Sequence, residues 1–121
     1  MDTVYRITKM MNVSDNEMVA TVSIDFGHSV FEGHFPDNPV LPGVITVDII
    51  KGVLSKFLDK ELTLKKAGNI KFMNIINPRK NDVLWVKINF SLSDNIYKVK
   101  ATVFFENTIF VKFSGDFYII K

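Results

Sequence analysis

The sequence predicts an α+β domain in which an antiparallel sheet wraps one long helix. Two observations carry that reading. Apolar residues recur at helical spacing in one stretch only, at positions 44, 47, 50, 54, 57 and 58, with Ile45, Ile49 and Val53 widening the face. A helix so apolar on most sides is one that other elements cover. Elsewhere the apolar residues fall in Val-, Ile- and Phe-rich runs separated by turn residues, the pattern of strands joined by hairpins.

Residues 3–10 and 18–26 alternate or run apolar, and Ser14-Asp15-Asn16-Glu17 between them is turn chemistry, so the chain opens on a hairpin. Residues 27–42 form a loop whose Pro36, Pro39 and Pro42 forbid a regular helix or a central strand. The helix runs from Val44 and ends near Asp59-Lys60. Four strands follow, over 69–76, 83–92, 96–105 and 108–120, with turns at Asn77-Pro78, Ser93-Asp94-Asn95 and Glu106-Asn107. Gly115 is expected to mark a bulge in the last of them.

A chain of 121 residues is read as a single domain, 1–121, large enough to bury a core without disulfides or metal. Apolar residues make up 47% and charged residues 23%, which excludes a disordered chain. No apolar run reaches the roughly 18 residues of a membrane span. The N-terminus lacks the basic-then-apolar order of a signal peptide, and there is no cysteine; both fit the cytoplasm. A net charge of +2 is too small to argue for nucleic acid. Its distribution is uneven. Residues 51–80 hold Lys51, Lys56, Lys60, Lys65, Lys66, Lys71, Arg79 and Lys80 against two acids, a local charge of +6. That segment is either a solvated surface or a docking face for an acidic partner, with Lys65 and Lys66 expected beside a turn.

The densest chemistry lies in Gly33-His34-Phe35-Pro36 and Pro39-Val40-Leu41-Pro42-Gly43-Val44, followed by Asp48. A histidine in a rigid loop, a helix N-terminus with open N–H groups and an acid in the helix's second turn are the parts for proton chemistry beside a carbonyl. An imidazole, with an ordinary pKa of about 6.5, suits a base at neutral pH. Asp48 sits in sequence among Val44, Val47, Ile49 and Ile50, so its carboxyl is expected to be partnered or to hold its proton.

This pattern resembles the active-site segment of the β-hydroxyacyl-ACP dehydratases, in which an acid follows the histidine at a spacing of 14, as Asp48 follows His34 here. Ile70-Lys71-Phe72 and Asn77-Pro78-Arg79-Lys80-Asn81-Asp82 are a weaker echo of the family's strand and turn. The resemblance implies a hotdog fold that dimerises through its sheet, and needs no metal or cofactor. It implies His34 as the base that removes the α proton of a 3-hydroxyacyl thioester. Asp48 then serves as the acid for the departing hydroxyl, the His of one subunit facing the acid of the other. Gly43, with Val44, would offer backbone N–H groups to the thioester carbonyl. Phe31, Phe35, Phe57 and Phe72 are core residues or acyl-tunnel residues, with core packing favoured. His28 falls outside the pattern.

Three departures stand out. Asp replaces the family's usual Glu. Gly52 stands four residues after the acid, where the family has Gln, which points to a close approach by a partner helix or a ligand. The chain also begins on the hairpin, where members typically begin with a helix, so a more open acyl site is expected. The implied activity is dehydration of (3R)-hydroxyacyl thioesters, carried on acyl carrier protein, in fatty-acid or related lipid or polyene synthesis. The implied assembly is a homodimer or an oligomer of dimers. An acyl-thioester hydrolase and a non-catalytic carrier-binding subunit are the competing readings.

Overall fold

The computed structural model describes residues 4–25, 27 and 40–120. Strands β1 (Tyr5–Ser14) and β2 (Glu17–Ile24) pair in register from Tyr5↔Ile24 to Ser14↔Glu17 and turn at Asp15-Asn16, the expected hairpin. Helix α1 (Gly43–Leu58) follows, then β3 (Leu62–Phe72), β4 (Val83–Ser93), β5 (Ile96–Phe105) and β6 (Thr108–Ile119). In space the six strands lie in the order β1-β2-β4-β5-β6-β3, every neighbouring pair antiparallel. The last three strands follow the sequence pattern closely, because each alternates buried with less buried residues over most of the length that faces the core. β5, for example, buries Tyr97, Val99, Ala101 and Val103 in turn.

β3 is where expectation and structure part. It begins at Leu62 rather than at residue 69, and most of it is exposed. It is an edge strand, so its pairing to β6 needs no apolar alternation on either face. Lys65 and Lys66 therefore sit inside a strand rather than beside a turn, with Lys65 Nζ 5.2 Å from the centre of the Tyr118 ring. The bulge expected at Gly115 lies elsewhere. Register shifts fall on β3, between Leu64 and Lys66 and between Ala67 and Asn69, while Gly115 stands opposite Ala67 between them; the last strand does have an extra residue against β5, at Phe110 rather than at Gly115. Its reason for being glycine is proximity: an added Cβ would lie 2.6 Å from the Lys66 carbonyl oxygen.

The core forms where one face of α1 meets one face of the sheet. Thr46, Ile49, Ile50, Val53 and Leu54 of the helix are buried. They pack against Met18, Ala20 and Val22 of β2, Leu84, Val86 and Ile88 of β4, and Phe110, Phe113 and Phe117 of β6. Each aliphatic side chain removed from water here contributes about 1.5–3 kcal/mol. Phe57 belongs to this layer, edge-on to Phe90 with ring centres 6.1 Å apart. The helix ends where Asp59 turns left-handed, at φ 54° and ψ 49°, and its N–H donates to Lys56 O.

Candidate active site

Proline dictates how α1 begins. Pro42 takes the N-cap position at φ −61° and ψ 143°, and its carbonyl accepts the Ile45 N–H at 3.1 Å and the Thr46 N–H at 3.3 Å. A proline side chain cannot cap, so the N–H groups of Gly43 and Val44 have no acceptor among the described residues. They stand at the positive end of the helix dipole. The incoming chain is tied down just before them, where the Leu41 N–H donates to Ile76 O at 2.9 Å. Ile76 leads into the turn whose Asn77 side chain accepts the Arg79 N–H, and Asn77 O accepts the Lys80 N–H. The downstream echo of the family pattern thus buttresses the helix start.

Beside that start lies an apolar cleft of about 600 Å³, lined by Leu41, Gly43, Thr46, Phe72, Met73 and Ile75 among others. Phe72 is 57% exposed, so it is a wall of the cleft and not the core residue favoured from sequence. At the end of β3 its ring leans across the helix start.

Asp48 is exposed, contrary to the expectation drawn from its apolar sequence neighbours. Successive helical residues turn by about 100°, so Ile49 and Ile50 point into the core while Asp48 points away from it. Its neighbours in space lie a turn away, at Val44, which is 69% exposed, and at Gly52. The structure therefore brings Gly43 and Phe72 together at the cleft and places Asp48 and Val44 on the outer stripe of the same helix. His34, Phe31 and Phe35 lie outside the described residues, as does His28.

The feature that sequence reasoning misread is Gly52. The close approach it was expected to serve comes from the chain's own β1: a Cβ on Gly52 would overlap the hydroxyl of Tyr5, and Tyr5 Cζ is 3.2 Å from that position. Burial, and after it the Asp48 carboxylate, push the Tyr5 phenol above its ordinary value of 10.0. Among the described residues there is no cluster of three or more metal-ligating side chains, and no helix is long and apolar enough to cross a membrane.

One helix laid on a six-stranded antiparallel sheet, its proline-led N-terminus beside an apolar cleft, defines a hotdog protein of the β-hydroxyacyl-ACP dehydratase kind. The ApeI-like family model, described as ApeI dehydratase, matches residues 10–110, and the chain belongs to that family. It is 34% identical over 95 residues to the 3-hydroxyacyl-acyl-carrier-protein dehydratase FabZ of Caldicellulosiruptor saccharolyticus, covering 72% of this chain and 66% of that one. A FabZ from Lactobacillus helveticus is 29% identical over 100 residues, 76% of this chain and again 66% of the relative. The chain thus spans just under two thirds of the length of these relatives. In fold it is similar to the dehydratase heterocomplex ApeI:P from Xenorhabdus doucetiae, with a TM-score of 0.71, 19% identity, and coverage of 96% of this chain and 97% of that one. A hypothetical thioesterase protein with coenzyme A from Streptococcus pneumoniae TIGR4 is also similar in fold, with a TM-score of 0.66, 15% identity, and coverage of 96% and 85%.

Proposed function

We propose that the chain dehydrates (3R)-hydroxyacyl thioesters carried on acyl carrier protein to trans-2-enoyl thioesters, in fatty-acid or related lipid synthesis. The observation that carries this reading is the helix start: N–H groups at Gly43 and Val44 with no acceptor among the described residues, beside an apolar cleft suited to an acyl chain. His34 takes the α proton, and the C–H electrons move toward the thioester carbonyl. The Gly43 N–H holds the developing negative charge, an effect worth about 3–4 kcal/mol for a well-placed donor. The electrons return to form the double bond as the Cβ–O bond breaks. Asp48 gives its proton to the departing hydroxyl, which leaves as water. Passing the proton from His34 to Asp48 resets the site.

Asp48 faces outward from its own protomer, which supports a site shared between two subunits, with Asp48 of one chain opposite His34 of the other. β3, a long edge strand next to the cleft, is the edge we assign to pairing with a second copy of this chain. The lysines of residues 51–80 favour an acidic carrier as the donor of substrate.

A second reading, thioester hydrolysis, is favoured by one observation: an exposed Asp48 can direct water as readily as it can release a proton. Incubation with a 3-hydroxyacyl carrier protein and mass analysis separates the two. Dehydration removes one water from the acylated carrier. Hydrolysis frees the carrier thiol and a 3-hydroxy acid, and would end the dehydratase reading. Binding without turnover would mark a carrier-binding subunit.

A further inference from the structure

Asp48 is the only acid on α1, and within its protomer its exposure leaves it without the packing that would hold a carboxylate in one rotamer. A working acid needs a fixed position, so some neighbour must supply it. Residue 52 lies four places along the helix and therefore on the same face as residue 48, with about 5–6 Å between their Cβ positions. Gly52 leaves its own side-chain space empty, and the Tyr5 hydroxyl fills it. Tyr5 itself is held by pairing to Ile24 in the first hairpin. A phenol is a neutral O–H donor over the whole physiological range, and a protonated carboxyl keeps an oxygen that accepts such a donor. We propose that Tyr5 is a positioning residue for Asp48: its hydroxyl, seated in the gap at Gly52, donates to one oxygen of the carboxyl, leaves the other to carry the proton, and fixes the direction in which the acid points. Any side chain at position 52 would evict that hydroxyl, which accounts for a glycine in mid-helix.

The inference rests on Asp48 being the acid of the proposed reaction, so the test separates the two claims. Tyr5→Phe, Gly52→Ala and Asp48→Asn are assayed with a 3-hydroxyacyl N-acetylcysteamine thioester, and the tyrosine ring carbons are titrated by NMR. Loss of this hydrogen bond should lower kcat of Tyr5→Phe about two- to tenfold. KM and the melting temperature should hold, which a merely structural role would not produce. Gly52→Ala, which displaces the hydroxyl but keeps it in the chain, should lower kcat in the same way. In Asp48→Asn, Tyr5 should titrate at lower pH than in the native chain. An inactive Asp48→Asn beside a fully active Tyr5→Phe would overturn the positioning role. An active Asp48→Asn would remove the acid from the proposed reaction, and the contact would then stand or fall on the titration alone. Identical titration of Tyr5 in both proteins would overturn it.

Discussion

The ring of Phe72 stands over Gly43, and a Cβ built on that glycine would lie 2.8 Å from Phe72 Cζ. The last residue of β3 and the first of α1 thus share one small space at the mouth of the cleft. Phe72→Ala should cost no more than about 1 kcal/mol, because more than half of the ring is already in water. KM for a long-chain thioester should rise severalfold while kcat for a short one holds. Gly43→Ala should push the ring aside at small cost, since the crowded atom is the far tip of a side chain. Calorimetry together with a chain-length series checks both.

Asp48→Asn should leave stability within about 0.5 kcal/mol of the native chain, as expected of an exposed residue away from the core. Dehydration should be lost. Mixing Asp48→Asn with His34→Ala should restore part of the activity if each site draws on two chains, because a mixed dimer keeps one intact site. Subunit exchange is verified with two differently sized tags. No recovery despite exchange would place both residues in a site within one chain.

Gly115→Ala should be costly, on the order of 1–3 kcal/mol, because the new methyl meets the Lys66 carbonyl oxygen at 2.6 Å and backbone cannot swing away. Gly27→Ala is the control, its nearest contact among the described residues being Asp25 Oδ1 at 3.5 Å. Urea unfolding of the two variants should separate them clearly.

Lys71 pairs directly across from Lys112, which in turn stands opposite Thr102. Like charges facing each other across strands repel, so Lys71→Glu should stabilise the protein by about 0.2–1 kcal/mol, more at low salt. If this face receives an acidic carrier, the same variant should lower kcat/KM for the carrier-bound substrate and spare the carrier-free thioester. Equal effects on both substrates would return the face to plain solvent.

Alkaline pH should weaken the fold through Tyr5. Its phenol is raised above 10.0 by burial first and by the Asp48 carboxylate second. Below about pH 10 both folded and unfolded chains hold the proton, and the full stability remains. Above it the unfolded chain releases its proton first, so stability falls as pH rises until the folded phenol also titrates. Tyr5→Phe should remove that part of the loss. Urea midpoints of the two proteins at about pH 8 and pH 10.5 give the comparison, other titrating groups cancelling between them.

Much of the fold was legible because burial imposes a period. The helix shows in residues 44–58, and β5 matches its expected span of 96–105, since each buries one face in strict order. The first half of β3 was not legible: Thr63, Lys65 and Lys66 owe their strand to β6, not to any pattern of their own. Asp48 misled for a related reason. Residues adjacent in a helical sequence point apart, so Ile49 and Ile50 say nothing about what surrounds it. A lone tyrosine at position 5 carries no signal at all. Gly52 was the clue to it, and only the three-dimensional path of β1 shows what the glycine accommodates.

The strand that borders β3 is made last of these six. Until residues 108–119 leave the ribosome, β3 has no partner and β5 has only one. The apolar face of α1, already synthesised, lacks Phe110, Phe113 and Phe117 to pack against. The four strands β1, β2, β4 and β5 can already pair and cover one side of α1 with Met18, Val22, Leu84 and Val86. β3 and the other side of the helix must wait for β6, whose pairing to β3 spans a long stretch of chain and is slow to close. A ribosome stalled before Thr108 would hold a half-covered helix beside an unpaired β3, and chaperone binding should concentrate there in that interval.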